Sequence, residues 1–350
     1  MNPRRQTRAI HVGNVKIGDG APISVQSMTK TDTRDVDATL KQIRSLAAAG
    51  CQIVRLAVPD MEAAQALAAI KQGSPIPLIA DIHFDWRLAQ RAIESSVDGL
   101  RINPGNIGAP WKVKEVVELC RQRAIPIRIG VNGGSLQKEL LQKYGHPSAE
   151  AIVESAERHM RLLQDLDYHN FKVSLKGSEV TTTIEAYRQF SAKYDYPLHI
   201  GISEAGPPFT GVIKSSVGLG ILLSEGIGDT MRVSLTAEPE EEVRTALMIL
   251  RSLGLREPGA DIISCPTCGR CQVDLKPIAQ KVEEALKAVN RPIKVAVMGC
   301  AVNGPGEARE ADIGIACAKK GGLLFKKGKV IRTLKETDLL KGLLDEIQGA

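Results

Sequence analysis

Ile76-Pro-Leu-Ile-Ala-Asp81, Gly99-Leu-Arg-Ile-Asn103 and Ile125-Pro-Ile-Arg-Ile-Gly-Val131 are the stretches that decide the fold. Each is a short apolar run rich in β-branched residues, and a turn plus an amphipathic helical stretch separates one from the next. Outward in both directions the same unit recurs. Pro22–Gln26 and Gln52–Ala57 lie upstream; Phe171–Leu175, Leu198–Ser203 and Thr230–Leu235 lie downstream. The connecting stretches carry helix signals. Val36, Leu40, Ile43 and Ala47 share a face ahead of Gly50, and Ile152, Ala156, Met160 and Leu163 do so behind a Ser148 cap. The last stretch opens with Pro239, Glu240, Glu241 and Glu242 and stops before Gly254, which suits the orphan amides and the dipole of a helix. Strict alternation implies a parallel sheet, and eight such units fit a closed (β/α)8 TIM barrel over residues 1–257. A doubly wound open sheet is the competing arrangement. Ile10–Val12 and Val15–Ile17 around Gly13-Asn14 read as a hairpin that plugs the barrel floor.

Past Gly254 the pattern changes. A strand at Asp261–Ser264 precedes Cys265-Pro-Thr-Cys268, and a helix follows with Ile278, Val282, Leu286 and Val289 on one face. A second strand, Lys294–Met298, runs into Gly299-Cys300. Short strands near Ile313–Ala316, Gly322–Phe325 and Val330–Thr333 and a final helix complete a smaller C-terminal α/β domain over 258–350.

Hydrophobic residues make up 43% and charged residues 25% of the 350, the balance of an ordinary globular protein rather than a disordered one. The net charge of +6 suits an anionic partner without choosing one. Aromatics are only 3%, which argues against base-stacking and so against nucleic acid. The N-terminal stretch is arginine-rich without an apolar run, and no segment approaches a membrane span. A cytoplasmic setting is expected, where cysteines more often serve metals or catalysis than disulfides.

Polar residues gather at the C-terminal ends of the expected strands, where barrel active sites lie. They include Asp81 and His83, Asn103, Asn132, Ser203 and Glu204, and Asp229 and Ser234. Five strands carry a cation: Arg55, Arg101, Arg128, Lys172 and Arg232. On the outward face a charge is costly, and on the inward face it needs a partner or a ligand. Asp81, Glu204 and Asp229 are too few to neutralise all five, so a multiply charged anion would complete the balance, and arginine forks suit phosphate oxygens. An internal ion-pair layer is the plainer alternative.

Five of the seven cysteines lie beyond residue 264. Cys265 and Cys268 are spaced to reach one metal centre, and Cys300 follows a neighbouring strand. Zinc would need an all-cysteine or carboxylate site, because every histidine lies at or before residue 199, and structural zinc usually takes a second close ligand pair. Three thiolates with an irregular fourth position suit an iron–sulfur cluster better. Cys271 extends the motif or faces away from it; Cys317, Cys51 and Cys120 read as core. Gly304-Pro-Gly306 predicts a tight turn that returns Glu307 toward Cys300 as a weak, displaceable ligand. The alternative is that Glu307 simply begins a helix. A barrel phosphosugar lyase with a structural zinc domain stays open as a second reading.

Ser264-Cys-Pro-Thr-Cys-Gly-Arg270 with Gly299-Cys-Ala-Val-Asn-Gly-Pro-Gly-Glu-Ala308 resembles the 4-hydroxy-3-methylbut-2-enyl-diphosphate synthase family. Val25-Gln-Ser-Met-Thr29, Arg101-Ile-Asn-Pro-Gly105, Arg128-Ile-Gly-Val-Asn132 and Gly201-Ile-Ser-Glu-Ala-Gly206 extend the resemblance along the chain. It implies an iron–sulfur oxidoreductase of isoprenoid biosynthesis in its compact two-domain form. It implies a 4Fe–4S cluster on Cys265, Cys268, Cys300 and Glu307, and 2-C-methyl-D-erythritol 2,4-cyclodiphosphate as substrate. It implies flavodoxin or ferredoxin as electron donor, and a head-to-tail homodimer in which each cluster domain covers the partner's barrel mouth. On this reading the strand-end cations grip the diphosphate, Glu204 supplies a proton from a buried position, and His83 is the reserve donor.

Overall fold

The computed structural model describes residues 2–257, 259–289, 291–300 and 302–349. Pro258, where the second domain is expected to begin, and Ala301 of the cysteine loop lie outside them. The chain forms two compact units, Met1–Leu255 and Arg256–Ala350.

The first unit opens with the antiparallel pair β1 (Ile10–Val12) and β2 (Val15–Ile17). Eight parallel strands follow: β3 (Ser24–Met28), β4 (Ile53–Ala57), β5 (Leu78–Asp81), β6 (Gly99–Ile102), β7 (Ile127–Asn132), β8 (Phe171–Lys176), β9 (His199–Ile200) and β10 (Thr230–Met231). β3 pairs with both β4 and β10, and β10 with β9. A parallel bridge from Val173 on β8 to Leu198, just ahead of β9, closes the ring. The sheet is therefore a TIM barrel and not an open doubly wound sheet.

Alternation along each strand builds the two faces. Val54, Leu56, Leu78, Ala80, Leu100, Ile129 and Val173 point outward into one apolar core with the surrounding helices. The helices begin where side chains can satisfy free amides: Asp35, Asp60 and Ser148 accept from Ala38, Ala63 and Ala151 N–H. Inside the barrel Ile53 and Ile79 pack on Ile10, Val12 and Ile17, so the hairpin seals the floor. Above that floor the inward positions turn polar.

The second unit is a five-stranded sheet. β11 (Ala260–Ser264), β12 (Ile293–Met298) and β13 (Ile313–Ala318) are parallel, and β14 (Gly321–Lys326) and β15 (Lys329–Lys335) continue it antiparallel. Val282 and Leu343, from helices Leu275–Leu286 and Leu339–Gly349, pack on Val295, Ile315 and Leu324. The short helix Gly304–Glu310 places Ala308 with Ala296, Ala316 and Phe325 in a separate small core.

Candidate active site

The C-terminal ends of the barrel strands enclose a cavity of about 350 Å³. Six cations line it: Lys30, Arg55, Arg101, Arg128, Lys176 and Arg232. Three carboxylates answer them, Asp81, Glu204 and Glu242, with His83, Asn132, Ser174, Ser203, Ser234 and Thr236 between. The barrel alternation places these cations on the inward face, and strand ends and following turns bring them to one mouth.

Asp81 anchors one side. Its Oδ1 lies 3.1 Å from Arg101 Nη1 and its Oδ2 3.4 Å from Arg55 Nε. Burial alone would raise its pKa, but Arg55, Arg101 and Arg128 together hold it at about 2. Burial brings Arg55 down to about 10, and burial with Arg55 and Arg101 as neighbours drives Arg128 well below its ordinary value. Lys176 is driven down in the same way, by burial and then by Arg128. Arg128 keeps Nε and Nη1 buried without a partner among the described residues. The crowded cations are thus mutually destabilising, and an anion would relieve them.

His83 is exposed, with Nε2 2.9 Å from Arg101 Nη1. Partial burial and the Arg101 charge lower its pKa, so at neutral pH it stands as the uncharged ring. Glu204 sits on the turn after β9 in a left-handed conformation, φ 51°, a strained position for a residue with a side chain. It is exposed in the barrel, so the burial expected around its carboxyl is not built by this unit. Beside it Ser203 Oγ donates to Asn132 Oδ1 at 3.3 Å.

The structure brings Arg55, His83, Arg101, Arg128, Asn132, Ser203, Glu204, Arg232 and Ser234 together at the cavity. Other expectations need correction. Lys172 does not line it. Lys172, Ser174 and Lys176 are successive inward positions on β8, and the cavity reaches only the last two. Asn103 also lies off the wall, with its Oδ1 accepting from Gly130 N–H at 2.9 Å. Asp229 precedes β10 and so belongs to the floor end, where it faces Arg4, Thr7 Oγ1 and Leu198 N–H. The sequence pattern does not single out Lys30 or Glu242 as wall residues, since Glu242 reads there as a first-turn acid.

In the second unit Cys265 and Cys300 follow the ends of the adjacent parallel strands β11 and β12, where Ser264 pairs with Val297. Cys265 N–H donates to Val297 O at 3.0 Å, and Gln272 N–H donates to Gly299 O at 3.0 Å, so the two cysteine loops are tied. Cys268 is exposed between them. The Cys300 thiol is pulled to lower pKa by the Val302 and Asn303 amides and by Arg270. Cys271 Sγ donates to Val273 O and packs on Gly299, where any Cβ would come within 2.3 Å of the sulfur. Cys317, Cys51 and Cys120 are buried.

The expected tight turn at Gly304-Pro305-Gly306 is instead the first turn of helix Gly304–Glu310, a position in which proline loses no hydrogen bond. Glu307 N–H donates to Asn303 O, and the side chain is exposed. Among the described residues no three His, Cys, Asp or Glu groups converge on a single metal ion. The donor set is sulfur-rich, free of disulfides and carried on adjoining strand ends, which fits an iron–sulfur group.

Two family models match this chain: the GcpE TIM-barrel domain over residues 7–247 and the GcpE protein C-terminal domain over 261–349. The chain belongs to the GcpE family. A relative from Thermodesulfovibrio yellowstonii, a 4-hydroxy-3-methylbut-2-en-1-yl diphosphate synthase (flavodoxin), is 62% identical and covers 99% of this chain and 100% of its own. A synthase of the same name from Geobacter sulfurreducens is 60% identical over 99% and 98%. The GcpE barrel also resembles the crystal structure of Yersinia pestis dihydropteroate synthase (TM-score 0.51, 11% identity, 70% of this chain and 98% of that one). It is similar too to N-acetylneuraminic acid synthetase from Leptospira borgpetersenii (TM-score 0.51, 14% identity, 71% and 91%). These last two likenesses are of fold alone. Among the described residues no helix of this GcpE chain is long and apolar enough to cross a membrane.

Proposed function

We propose that this GcpE-family chain reduces 2-C-methyl-D-erythritol 2,4-cyclodiphosphate to 4-hydroxy-3-methylbut-2-enyl diphosphate, an isoprenoid precursor, as an iron–sulfur oxidoreductase. The observation that carries the reading is the cavity itself, where six cations face three carboxylates. A cyclic diphosphate, with one negative charge on each phosphorus, offsets most of that excess. Its oxygens accept from the Arg55, Arg101, Arg128, Lys176 and Arg232 donors, with Asn132, Ser203 and Ser234 available for the remaining oxygens and hydroxyls. Such a fixed ring of donors holds the cyclic substrate in one orientation.

The barrel, residues 1–257, would bind substrate, and residues 258–350 would hold a 4Fe–4S cluster on Cys265, Cys268, Cys300 and Glu307. When bound, such a cluster supplies electrons one at a time and an iron able to take an oxygen ligand. The reaction consumes two electrons. The bond from carbon to the ring phosphate oxygen and one carbon–hydroxyl bond break, a carbon–carbon double bond forms, and the departing hydroxide leaves as water once protonated. Glu204, which lines the cavity, is our candidate for the donor of that proton. His83 is the reserve, and would have to enter the step protonated, against the lowering of its pKa by burial and Arg101. The relatives' names carry flavodoxin, which supports flavodoxin as donor here, with ferredoxin as the related choice. A cytoplasmic head-to-tail homodimer, each cluster domain over its partner's barrel, would supply the cover that Glu204 lacks in the barrel unit.

The deciding experiment is anaerobic purification with iron and sulfide counts and a visible spectrum, with and without the cyclic diphosphate. A brown protein with four irons whose spectrum responds to substrate is expected. A colourless, folded protein carrying one zinc would overturn the reading.

A further inference from the structure

His159 lies on the helix Ala149–Gln164, outside the cavity, and is 3% exposed. Its ring joins two turns at the barrel mouth. Nδ1 accepts from Gly105 N–H at 3.0 Å, in the short helix Pro104–Ile107 that follows β6. Nε2 lies 3.0 Å from the terminal amide of Gln137, in the turn after β7, and that amide lies 2.8 Å from Ser155 Oγ on the histidine's own helix. With Nδ1 used as an acceptor, the single proton of a neutral imidazole sits on Nε2. Nε2–H then needs the Gln137 amide oxygen as its acceptor, which turns the amide so that its NH2 donates to Ser155 Oγ. Burial, with Arg101 adding to it, lowers the His159 pKa to about 4, so the neutral ring persists across physiological pH. Gly105 is matched to it, since a Cβ there would lie 2.7 Å from His159 Cε1.

The two turns also frame the anion-binding row. Arg101 Nη2 donates to Gly130 O at 3.1 Å, and Gly130 N–H donates to Asn103 Oδ1 at 2.9 Å. Asn132, at the end of β7, leads directly into the turn that carries Gln137. We infer that His159 is a positioning residue for substrate binding: through Gly105 and Gln137 it locks the turns after β6 and β7 together, so that Arg101, Arg128 and Asn132 meet the anion in one preformed geometry. The inference rests on the reading that this cavity takes the cyclic diphosphate. A side chain that only filled the space would leave the Gly105 N–H and the Gln137 amide without their partner in a half-buried site, and the turns would move to find other partners or water.

The test compares His159→Phe, which keeps bulk and loses both hydrogen bonds, with His159→Asn, whose side-chain oxygen can still accept from Gly105. In the reconstituted holoenzyme KM for the cyclic diphosphate rises about tenfold in H159F, with kcat within about twofold, the pattern of lost binding rather than lost chemistry. H159N recovers part of the loss, and iron content stays at the wild-type level. Amide exchange accelerates in 103–108 and 133–138 and not elsewhere in the barrel. Unchanged KM with a lower melting temperature would make the role merely structural and overturn the inference, as would a fall in kcat alone. Should H159F fail to fold, 15N spectra of histidine-labelled wild-type protein decide: an unprotonated Nδ1 and protonated Nε2 are required, and the opposite tautomer overturns it. If wild-type enzyme does not turn over the cyclic diphosphate, the failure belongs to the functional reading. The exchange pattern and the tautomer then judge the lock, and wild-type exchange rates in H159F would refute it.

Discussion

Glu242 belongs to the helix Pro239–Ser252 on the outside of the barrel, yet its carboxylate lies 3.2 Å from the guanidinium of Arg232 at the end of β10. It is 1% exposed. Its oxygens also accept from Leu235 N–H at 3.1 Å and Ser27 Oγ at 3.3 Å, and lie 3.5 Å from Lys30 Nζ. One helix acid thus fixes two of the six cavity cations and the backbone turn between them. A carboxylate in that position serves to aim positive charge rather than to cancel it, because four further cations share only Asp81 and the exposed Glu204.

Removing Glu242 should therefore cost stability and binding together. Glu242→Ala leaves Arg232 and Lys30 facing each other without their common partner. Breaking such a buried pair costs about 3–5 kcal/mol, read from urea unfolding of the wild-type and variant proteins. KM for the cyclic diphosphate should rise as Arg232 loses its fixed direction. A variant as stable as wild type would show that water replaces the carboxylate at little cost.

Lys172 should behave in the opposite way. Lys172 is 1% exposed and its ammonium has no hydrogen-bond partner among the described residues, and burial pushes its pKa well down, with Arg128 adding to the effect. Lys172→Met removes a buried polar group of similar length, and should stabilise the protein by roughly 1–3 kcal/mol at pH 7. The folded lysine binds its proton less readily than the unfolded one, so wild-type stability rises with pH and the gap to the variant narrows toward pH 10. A destabilised K172M would indicate that Lys172 has an acceptor inside the barrel. An unchanged KM is expected, since the cavity does not reach this position.

The same contrast shows how far the sequence could be read. Period two along β8 places Lys172, Ser174 and Lys176 on one face, but it contains no measure of depth along the barrel axis. Choosing Lys172 over Lys176 as the cavity lysine was therefore not decidable from the pattern. Glu242 did leave a trace: it lies four and seven residues before Ala246 and Ile249, both buried, so it falls on the apolar stripe of its helix. Its neighbours Glu240 and Glu241 masked that trace, because three acids in a first turn are sufficiently explained by the dipole. The alternation of strands and helices and the floor hairpin were legible because periodicity and turn chemistry are local. β9 and β10 were read too long, because Ile202, Ser203, Val233 and Ser234 continue the alternation after the ladder has ended. Gly304-Pro-Gly306 looked like a reverse turn since those residues suit one equally well, and only packing of Ala308 on Ala296 and Ala316 selects the helix.

Glu204→Gln tests the proton step. The amide keeps size and hydrogen bonding but has no acidic proton to give. Turnover should fall by roughly 10²-fold or more, within the usual range for general acid catalysis, while KM and iron content change little. His83→Asn should cost less. An E204Q enzyme with wild-type turnover and an intact cluster would remove Glu204 from this role and leave His83 as the residue to examine.

Acid should weaken the barrel in two separable windows. His159 titrates at about 4 in the folded protein against 6.5 for an ordinary imidazole. Its lowered value means that the unfolded chain takes up the proton first. The stabilisation is full above pH 6.5 and is lost as pH falls toward 4, an effect of up to about 3 kcal/mol. Asp81, at about 2 against 3.8, contributes fully above 3.8 and is lost only as pH falls on toward 2. Unfolding free energies measured between pH 7 and 3 should therefore decline first through the histidine window. His159→Phe should flatten the slope between 6.5 and 4 without abolishing it, because His199, fully buried, is also held well below its ordinary value by burial and by Lys176. The same variant should leave the slope below pH 4 in place. An identical slope in wild type and H159F from pH 6.5 to 4 would mean that His159 is not held neutral by its burial.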